Sequence, residues 1–418
     1  MHAYLLRTGR TIAPFHRPAG EMKIHGRSLR QHQEEVLRAA GCNVEPIDDL
    51  QAVRSSPCLL VHDDLYFTYH AIVGFLNAAE KQRGMVSNAR AALATSDLTE
   101  RFVPAFQGAE VRVSDEEAYR VYDCYYLESL RPDEPLEGQT RLVPVPYTLK
   151  RMRSRANRYF EPSGRFSIPI ARTFMTPIQH WANLVTANLL GMPDFFLHVL
   201  RQRPLLAASL PFRAAWRAGS LRPTRMLGKF YVAGRRCRTA PSAHIECAVL
   251  GRRVKIGPNA VIRGAVIGDE AEIGPGAIIE GCTLGDRVTI DGGITLRCCV
   301  ADDEASLGAF FNQMSVFGRS SVLCPDSGIY DFQFKGSVRV THKGHSVPSG
   351  SRLLGGCLGD RAFIGPDVHL VCGQEVPNDC VLVQSPRALV RDVENLPETV
   401  VRMDRAGRDK QRALRRAS

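Results

Sequence analysis

The second half of the chain repeats itself with a period of 17 residues. Three consecutive segments, 250–266, 267–283 and 284–300, align without a gap. Aliphatic residues recur at three equivalent positions in each segment, and these are Leu250, Ile256, Ile262, Ile267, Ile273, Ile279, Leu284, Ile290 and Leu296. Such a repeat predicts a solenoid, because one coil cannot bury its apolar side chains alone and must stack on the next.

The spacing of about six residues within each repeat predicts a left-handed parallel β-helix. In such a coil three short strands form a triangle, one aliphatic side chain on each strand points inward, and small residues fit the corners. The spacing returns at Phe317, Leu323 and Ile329, and again from residue 358 to residue 376. We therefore expect hexapeptide coils over residues 237–386.

An insertion interrupts this spacing at residues 330–356. Phe332, Phe334, Val338 and Val340 alternate there with polar residues, which predicts an ordered hairpin arm. Long loops on a rigid scaffold commonly carry function. Solenoids of this kind commonly form trimers in which such loops reach a neighbour, so we expect a homotrimer that assembles through the β-helix.

The first half of the chain alternates predicted strands with predicted helices. Residues 1–6 and 58–68 are apolar and predict buried strands, whereas 28–41 and 71–84 have helical apolar spacing and end at a glycine. This order predicts an α/β domain with a parallel sheet over residues 1–149.

Polar residues follow both predicted strands. The loop 7–14 follows the first strand, and Asp63 and Asp64 end the second. Ligands of parallel sheets bind at the carboxyl ends of the strands. The two carboxylates would suit a hard cation such as Mg²⁺, or they end the strand and cap the next turn. The sequence leaves both interpretations open.

Residues 150–236 are rich in arginine and predict a mainly helical connector between the two halves. Within this connector, residues 176–191 predict a helix that has Pro177 at its first position. After the coils, residues 387–418 are expected to form a cap and a basic tail.

The chain carries a net charge of +11 and twelve cysteines. The cysteines replace small apolar residues and no secretory signal is recognised, which predicts free thiols in a reducing cytoplasm. No apolar run reaches the roughly 18 residues of a membrane span. The basic tail is either solvated or attracts phosphate, nucleic acid or anionic lipid. The aromatic interleaving of single-strand binding proteins is missing, which argues against a nucleic-acid partner.

The opening strand and loop, the aspartate pair after a buried strand and the hexapeptide coils together resemble the sugar-nucleotide pyrophosphorylases that are fused to a hexapeptide acyltransferase domain. The resemblance implies a truncated nucleotidyltransferase-like sheet followed by the β-helix. It also implies a sugar phosphate or nucleotide sugar as ligand, Mg²⁺ as the metal of nucleotidyl transfer, and acetyl-CoA or another acyl-CoA as the donor of acyl transfer.

The resemblance assigns a phosphate-binding role to the loop after the first strand. In the family this loop is rich in glycine, and its N–H groups hold the nucleotide phosphates; Gly9, Arg10 and Thr11 lie here. Asp64 takes the position of the metal-binding aspartate. Ala19, in the frame RPAGEMKIHGRSL, takes the position of a catalytic lysine. The resemblance therefore implies impaired nucleotidyl transfer, because a positive charge is missing from the transition state.

The resemblance also implies a second site, on the β-helix. Gln313 takes the position of the histidine that acts as general base in acyl transfer, and an amide cannot take up that proton. Asp331 and Phe332 replace an Asn-Tyr pair that lies near the acyl donor in the family.

Three histidines are candidates for the missing base. His342 and His345 lie on the insertion, where they would act as bases, bind a metal or face solvent. His369 precedes an inward Leu370, so we expect it to point outward, toward the face where donors bind in related trimers.

These features leave three functional hypotheses. The first is a transferase of sugar-nucleotide or cell-envelope metabolism, with an impaired nucleotidyltransferase-like domain and a β-helix that transfers an acyl group. The second is a non-catalytic trimeric scaffold, or a sensor that binds a nucleotide sugar. The third is a nucleic-acid or membrane-surface binder that acts through the basic tail.

Overall fold

The computed structural model describes residues 1–82, 88–95, 104, 110–112, 118–131, 133–147, 149–155 and 165–385. These residues form an N-terminal mixed α/β sheet and a C-terminal run of parallel strands in curled sheets, which is consistent with a parallel β-helix. The predicted cap and basic tail lie outside the described residues. Within the described part, no helix is long and apolar enough to cross a membrane.

The N-terminal sheet has seven strands. Six follow one another from edge to edge: Arg141–Pro144, Asn88–Ala94, Ala118–Leu127, Cys58–His62, His2–Leu6 and Asn43–Ile47. The seventh, Glu110–Arg112, pairs with Ala118–Leu127. His2–Leu6 is parallel to both of its neighbours, as predicted. Arg141–Pro144 is likewise parallel to Asn88–Ala94. The prediction of a parallel sheet is wrong for Ala118–Leu127, which runs antiparallel to the strands beside it, a pairing that needs no helical crossover.

Two helices pack on this sheet, and both confirm the sequence predictions. They span Leu29–Ala39 and Tyr69–Lys81. Ser28 caps the first helix in a capping box with Gln31, which satisfies two N–H groups at its start. Their apolar sides share one buried cluster with the central strands. The other short elements of this half are the helical segments Ala19–Glu21, Leu50–Ala52 and Leu136–Gln139 and the strand pairs Thr11–Ile12 with Arg17–Pro18, Lys23–Ile24 with Arg27–Ser28, and Leu149–Arg155 with Arg165–Ala171.

The long helix of the connector begins later than predicted, at Trp181. Met175–Pro177 forms instead a strand that is antiparallel to Leu65–Phe67. His180 then caps the helix, because its ring nitrogen accepts a hydrogen bond from the Ala182 N–H at 3.2 Å. The predicted start of the helix at Pro177 is therefore wrong, since strand pairing outweighs the local preference of proline for a first turn.

Three helices make up the remainder of the connector. We call Trp181–Gln202 the packing helix and Pro204–Ala218 the exposed helix. The short helix Pro223–Leu227 follows. The strand Tyr231–Ala233 then pairs with the first coil of the solenoid.

The coils of the solenoid present three faces. The strands of the first face are Arg238–Thr239, Lys255–Ile256, Glu272–Ile273, Thr289–Ile290, Ser306–Leu307, Val322–Leu323, Phe363–Ile364 and Val381–Leu382. Those of the second face are Ile278–Glu280, Thr295–Arg297, Phe311–Gln313, Gly328–Ile329 and His369–Leu370. Those of the third face are Thr283–Leu284, Val300–Ala301, Val316–Phe317, Cys357–Leu358 and Glu375–Val376. His244–Leu250 and Val261–Ile267 each run along the second and the third face.

The interior of the solenoid confirms the predicted repeat. Ile256 pairs with Ile273 and Ile273 with Ile290, so neighbouring coils are in register at a spacing of 17 residues. All nine aliphatic residues of the three segments are buried in one continuous cluster. All twelve cysteines are free, as predicted.

The packing helix covers the third face. Outward residues of this face, Val300, Val316 and Cys357, are buried in a cluster with apolar residues of the packing helix such as Leu184. The N-terminal half and the solenoid are therefore joined by a continuous apolar contact.

The insertion forms the predicted hairpin. Its strands, Arg339–His342 and His345–Pro348, are antiparallel. Val338 and Val340 are buried in the same cluster as the packing helix. The arm thus packs on its own chain, over the connector.

Candidate functional site

Two loops meet at the carboxyl edge of the N-terminal sheet. His2–Leu6 and Cys58–His62 are parallel neighbours, so the loops that follow them start side by side. The Asp63 carboxylate accepts hydrogen bonds from the Thr8 N–H at 2.9 Å and from the Thr8 hydroxyl at 2.8 Å. The predicted phosphate loop is therefore fixed to the aspartate pair.

Asp64 lies beneath this loop and is almost completely buried. An Arg10 Nη1–H group donates to Asp64 Oδ2 at 2.6 Å, and Gln179 Nε2 donates to the same oxygen at 3.3 Å. Burial raises the pKa of Asp64, and the charge of Arg10 opposes that rise. About half of the Arg10 side chain faces solvent, so its remaining donors are available to a ligand.

The predicted Mg²⁺ site needs free carboxylate oxygens on Asp63 and Asp64. The guanidinium of Arg10 already lies against Asp64 Oδ2, where a cation would bind. Among the described residues there is no group of three or more side chains suited to hold a metal. The pair does not fit a resident Mg²⁺ in this arrangement, and its role as a metal site stays a prediction.

The position that the family gives to a catalytic lysine lies directly beside the loop. The Ala19 N–H donates to the Arg10 carbonyl at 2.9 Å, and the Ala19 methyl group is buried. Lys23, four residues later, points to the solenoid instead, where its ammonium lies 2.7 Å from Asp303 Oδ1. Neither residue brings a charge to the loop.

Arg17 also contacts the solenoid. Its Nη2 group donates to Asp302 Oδ2 at 2.7 Å and to Asp360 Oδ1 at 3.1 Å, and all three side chains are nearly buried. Sequence reasoning missed this triad, because its members lie 285 and 343 positions apart along the chain. Arg17 and Lys23, which follow the loop in the sequence, thus bind carboxylates of the solenoid.

Gln313 and Asp331 lie on neighbouring turns at the base of the arm. The Leu354 N–H donates to the Asp331 carbonyl at 2.9 Å, and the Gly355 N–H donates to the Met314 carbonyl at 3.0 Å. These bonds hold both ends of the insertion against the coil that carries Gln313. Burial raises the pKa of Asp331.

Phe332 lies at the start of the arm. Its ring meets the ring of Phe334 edge to face at 5.3 Å, and the guanidinium of Arg352 lies 5.0 Å from its centre. Phe332 forms a bridge with Leu353. These contacts order the base of the arm, where the resemblance predicts an acyl-donor site.

The structure brings His342 and His345 together as directly opposed residues at the tip of the hairpin. Burial, with the nearby ring of His180 and the charge of Lys343, lowers the pKa of His342 below its usual 6.5. His345 is exposed. The lowered pKa favours the neutral imidazole, which is the form that a general base requires.

His180 and Trp181 form a polar contact with Glu375 that sequence reasoning also missed. His180 Nε2 lies 3.0 Å from Glu375 Oε1, and the Trp181 indole N–H donates to the same oxygen at 2.8 Å. The rings of His180 and His342 are 6.0 Å apart. The sequence offered one signal for this contact, a histidine within the predicted first turn of the helix. Its role as a cap depends on where the helix begins, and the predicted start was too early.

His369 points outward, as predicted, and is exposed. It pairs with Gly328 on the second face, and its ring lies 6.1 Å from that of Tyr330. The candidate residues therefore occupy the sheet edge, the base of the arm, its tip, and the second face.

An open groove of about 680 Å³ runs along the first face. Lys255, Glu272 and Asp291 are among the residues that line it, and none of the predicted site residues does. Lys255 and Glu272 form an ion pair there. The strands of the first face form the floor of the groove, and the groove does not coincide with any candidate site.

A scan against protein-family models and a search of curated proteins found no match to this chain. The resemblance therefore rests on the residues and motifs given above.

Proposed function

We propose that the N-terminal domain is nucleotidyltransferase-like and binds the phosphate groups of a sugar phosphate or nucleotide sugar without transferring a nucleotide. The observation that carries this proposal is that only some of the cations near the loop are free to meet a ligand. Arg10 faces the open edge of the sheet, whereas Arg17 and Lys23 are held by carboxylates of the solenoid.

Arg10 supports the binding step. A guanidinium presents a planar fork of donors that matches phosphate, and the buried Asp64 holds this one in place. Gly9, with a φ of 64° and open space around it, lets the backbone approach a ligand closely. Arg7 adds a second cation at the edge, since its pair with Asp48 is exposed and such pairs are weak.

The alanine at the position of the catalytic lysine supports the absence of transfer. Nucleotidyl transfer needs positive charge on the phosphates as negative charge develops. Ala19 supplies none, and Lys23 would have to leave Asp303 to do so. A ligand would therefore remain bound and unreacted.

Calorimetry of the full chain with UDP-N-acetylglucosamine tests this proposal. We expect saturable binding that persists in EDTA, and at least tenfold weaker binding in Arg10→Ala. Arg38→Ala is the matched control, because Arg38 pairs with Glu34 on the exposed surface of the helix Leu29–Ala39. Equal affinity in the Arg10 variant, or turnover of UTP with a sugar phosphate, would contradict the proposal.

A second candidate function is acyl transfer from an acyl-CoA on a left-handed β-helix. The lowered pKa of His342, together with its place at the tip of the ordered arm, favours it. In a coupled thiol-release assay with acetyl-CoA and an amino-sugar phosphate, His342→Gln should lose at least a hundredfold in rate. His345→Gln, at the opposed and exposed position, should lose little. Absence of thiol release from the unaltered protein would count against this function.

A homotrimer is part of both proposals. Four large apolar side chains are exposed on or beside the second face: Phe310, Phe311, Tyr330 and Val371. Burying them between subunits would supply the apolar core that a stable interface needs. Light scattering should give three times the mass of one chain, and Phe311→Asp should give monomers. A monomeric unaltered protein would contradict this assembly.

A further inference from the structure

The exposed helix carries an uncovered apolar stripe. Leu205, Phe212 and Trp216 are 87%, 78% and 80% exposed, and their spacing of seven and four residues places them on one side of the helix. Leu210 and Ala214, on the opposite side, are buried. The helix is therefore held to the protein by one side and presents an aromatic and aliphatic side to its surroundings.

Further large apolar side chains are exposed just after this helix in the chain. Leu221, in the turn that follows, is 84% exposed, and Leu227 at the end of the next short helix is also exposed. Isolated exposed apolar residues are normal, but large side chains that are contiguous on one surface mark an interaction site. We call Leu205, Phe212, Trp216, Leu221 and Leu227 the apolar stripe.

The charge around the stripe has one sign. No aspartate or glutamate occurs from residue 195 to residue 245. Four exposed arginines lie next to the stripe, and they are Arg203, Arg213, Arg222 and Arg225. None of them makes an ion pair with any residue that the structure describes.

Arg217, by contrast, has a structural role in this segment, because it packs against another part of the chain. Its guanidinium lies 4.0 Å from the ring centre of Tyr231, and it donates to the Tyr231 carbonyl at 2.8 Å. Within the described part of the chain, the four exposed arginines have no such contacts. Their charge is left for an external anion.

We infer that the apolar stripe binds the surface of an anionic lipid bilayer. Tryptophan, phenylalanine and leucine on one side of a helix, with arginines at its flanks, are the composition of helices that lie in the headgroup region. Trp216 and Phe212 would enter the boundary between headgroups and acyl chains, while the arginine stems reach out to the phosphates. A bilayer also fits the local charge, because every charged side chain beside the stripe is positive.

This surface differs from the predicted basic tail. The stripe acts through apolar insertion as well as charge, whereas a run of basic residues acts through charge alone. The helix is too short and too polar to span a bilayer, so the protein would lie on the membrane surface.

The chain contains its own reporter for this binding. It has two tryptophans, of which Trp181 is fully buried and Trp216 is 80% exposed. When the protein is mixed with vesicles of 30% phosphatidylglycerol in phosphatidylcholine, we expect a blue shift of emission that comes from Trp216. Pure phosphatidylcholine vesicles should bind at least tenfold more weakly, because they lack the anionic charge.

Sedimentation with the same vesicles separates the stripe from the tail. The variant L205S/F212S/W216S keeps every charge of the chain, so we expect at least tenfold less binding if the stripe inserts. Phe334→Ser, which removes an exposed aromatic ring on the arm, is the matched control and should bind as the unaltered protein does. Thermal unfolding of both variants checks that they remain folded.

Three results would overturn the inference. The first is no blue shift and no sedimentation of the unaltered protein with anionic vesicles. The second is unchanged binding of the triple variant. The third is a Trp216 that is already shielded from iodide quenching in a dimer at assay concentration, which would assign the stripe to a contact between two copies of the chain.

Discussion

Removing the charge of Arg17 tests how the two halves are joined. Arg17 contacts Asp302 and Asp360 of the solenoid, and all three groups are nearly buried. In Arg17→Met the two carboxylates would lose the guanidinium that they share. Breaking a buried ion pair on one side commonly costs about 3–5 kcal/mol. Arg319, 3.7 Å from Asp302, offsets part of this loss, so we expect about 3 kcal/mol.

Urea unfolding followed by tryptophan fluorescence measures this loss. Trp181 is buried in the packing helix and donates to Glu375 of the solenoid, so its emission reports separation of the halves. At a slope of about 3 kcal/mol/M, a loss of about 3 kcal/mol moves the midpoint by about 1 M. The variant R17M/D302N/D360N should recover at least half of the shift, because it leaves no unpaired charge.

An exposed ion pair provides the control. Arg252 pairs with Asp269 on the solenoid, and much of the Arg252 side chain faces solvent. Arg252→Met should leave the urea midpoint almost unchanged, because exposed ion pairs contribute little to stability. If Arg17→Met cost no more than Arg252→Met, the buried triad would not be what joins the halves, and the reasoning from burial would be refuted.

Two further predictions concern the packing of the connector and of the first helix. Gly191→Ala should lower the melting temperature by several degrees, because the new Cβ would meet the Tyr66 hydroxyl, whereas Gly138→Ala has open space and should change little. Burial lowers the pKa of His25 to about 3 and that of His32 to about 4. Both imidazoles have a pKa near 6.5 in the unfolded chain, so unfolding takes up protons and stability should fall as the pH drops from about 6.5 toward 4. Urea midpoints across that range should show a shallower fall in His32→Gln; an equal slope would contradict the assignment.

The sequence predicts those parts of the fold that depend on local repetition. The inward residues of the coils are set by a period, and the helix after Ser28 by its capping box. The direction of Ala118–Leu127 is not local, because it depends on which strand the chain meets after its return. The predicted start of the packing helix was wrong for a similar reason, since Met175–Pro177 pairs with a strand more than a hundred residues away.

In the candidate site, too, the local features could be predicted from the sequence and the long-range contacts could not. The carboxyl ends of neighbouring parallel strands must lie together, and the contact of Thr8 with Asp63 agrees with that expectation. What Arg17 and Lys23 do could not be read from the sequence. Their partners are carboxylates on coils that lie nearly three hundred residues away along the chain.

The arrangement of the three faces constrains where any further chemistry can occur. The packing helix covers the third face, and the first face carries a polar surface with the Lys255–Glu272 ion pair. The second face alone combines exposed apolar side chains with Gln313 and His369. A subunit that buries Phe311 on this face would bring its own residues next to those two. Acyl transfer, if the solenoid performs it, would then need the assembled trimer, whereas phosphate binding at the sheet edge would need only one chain.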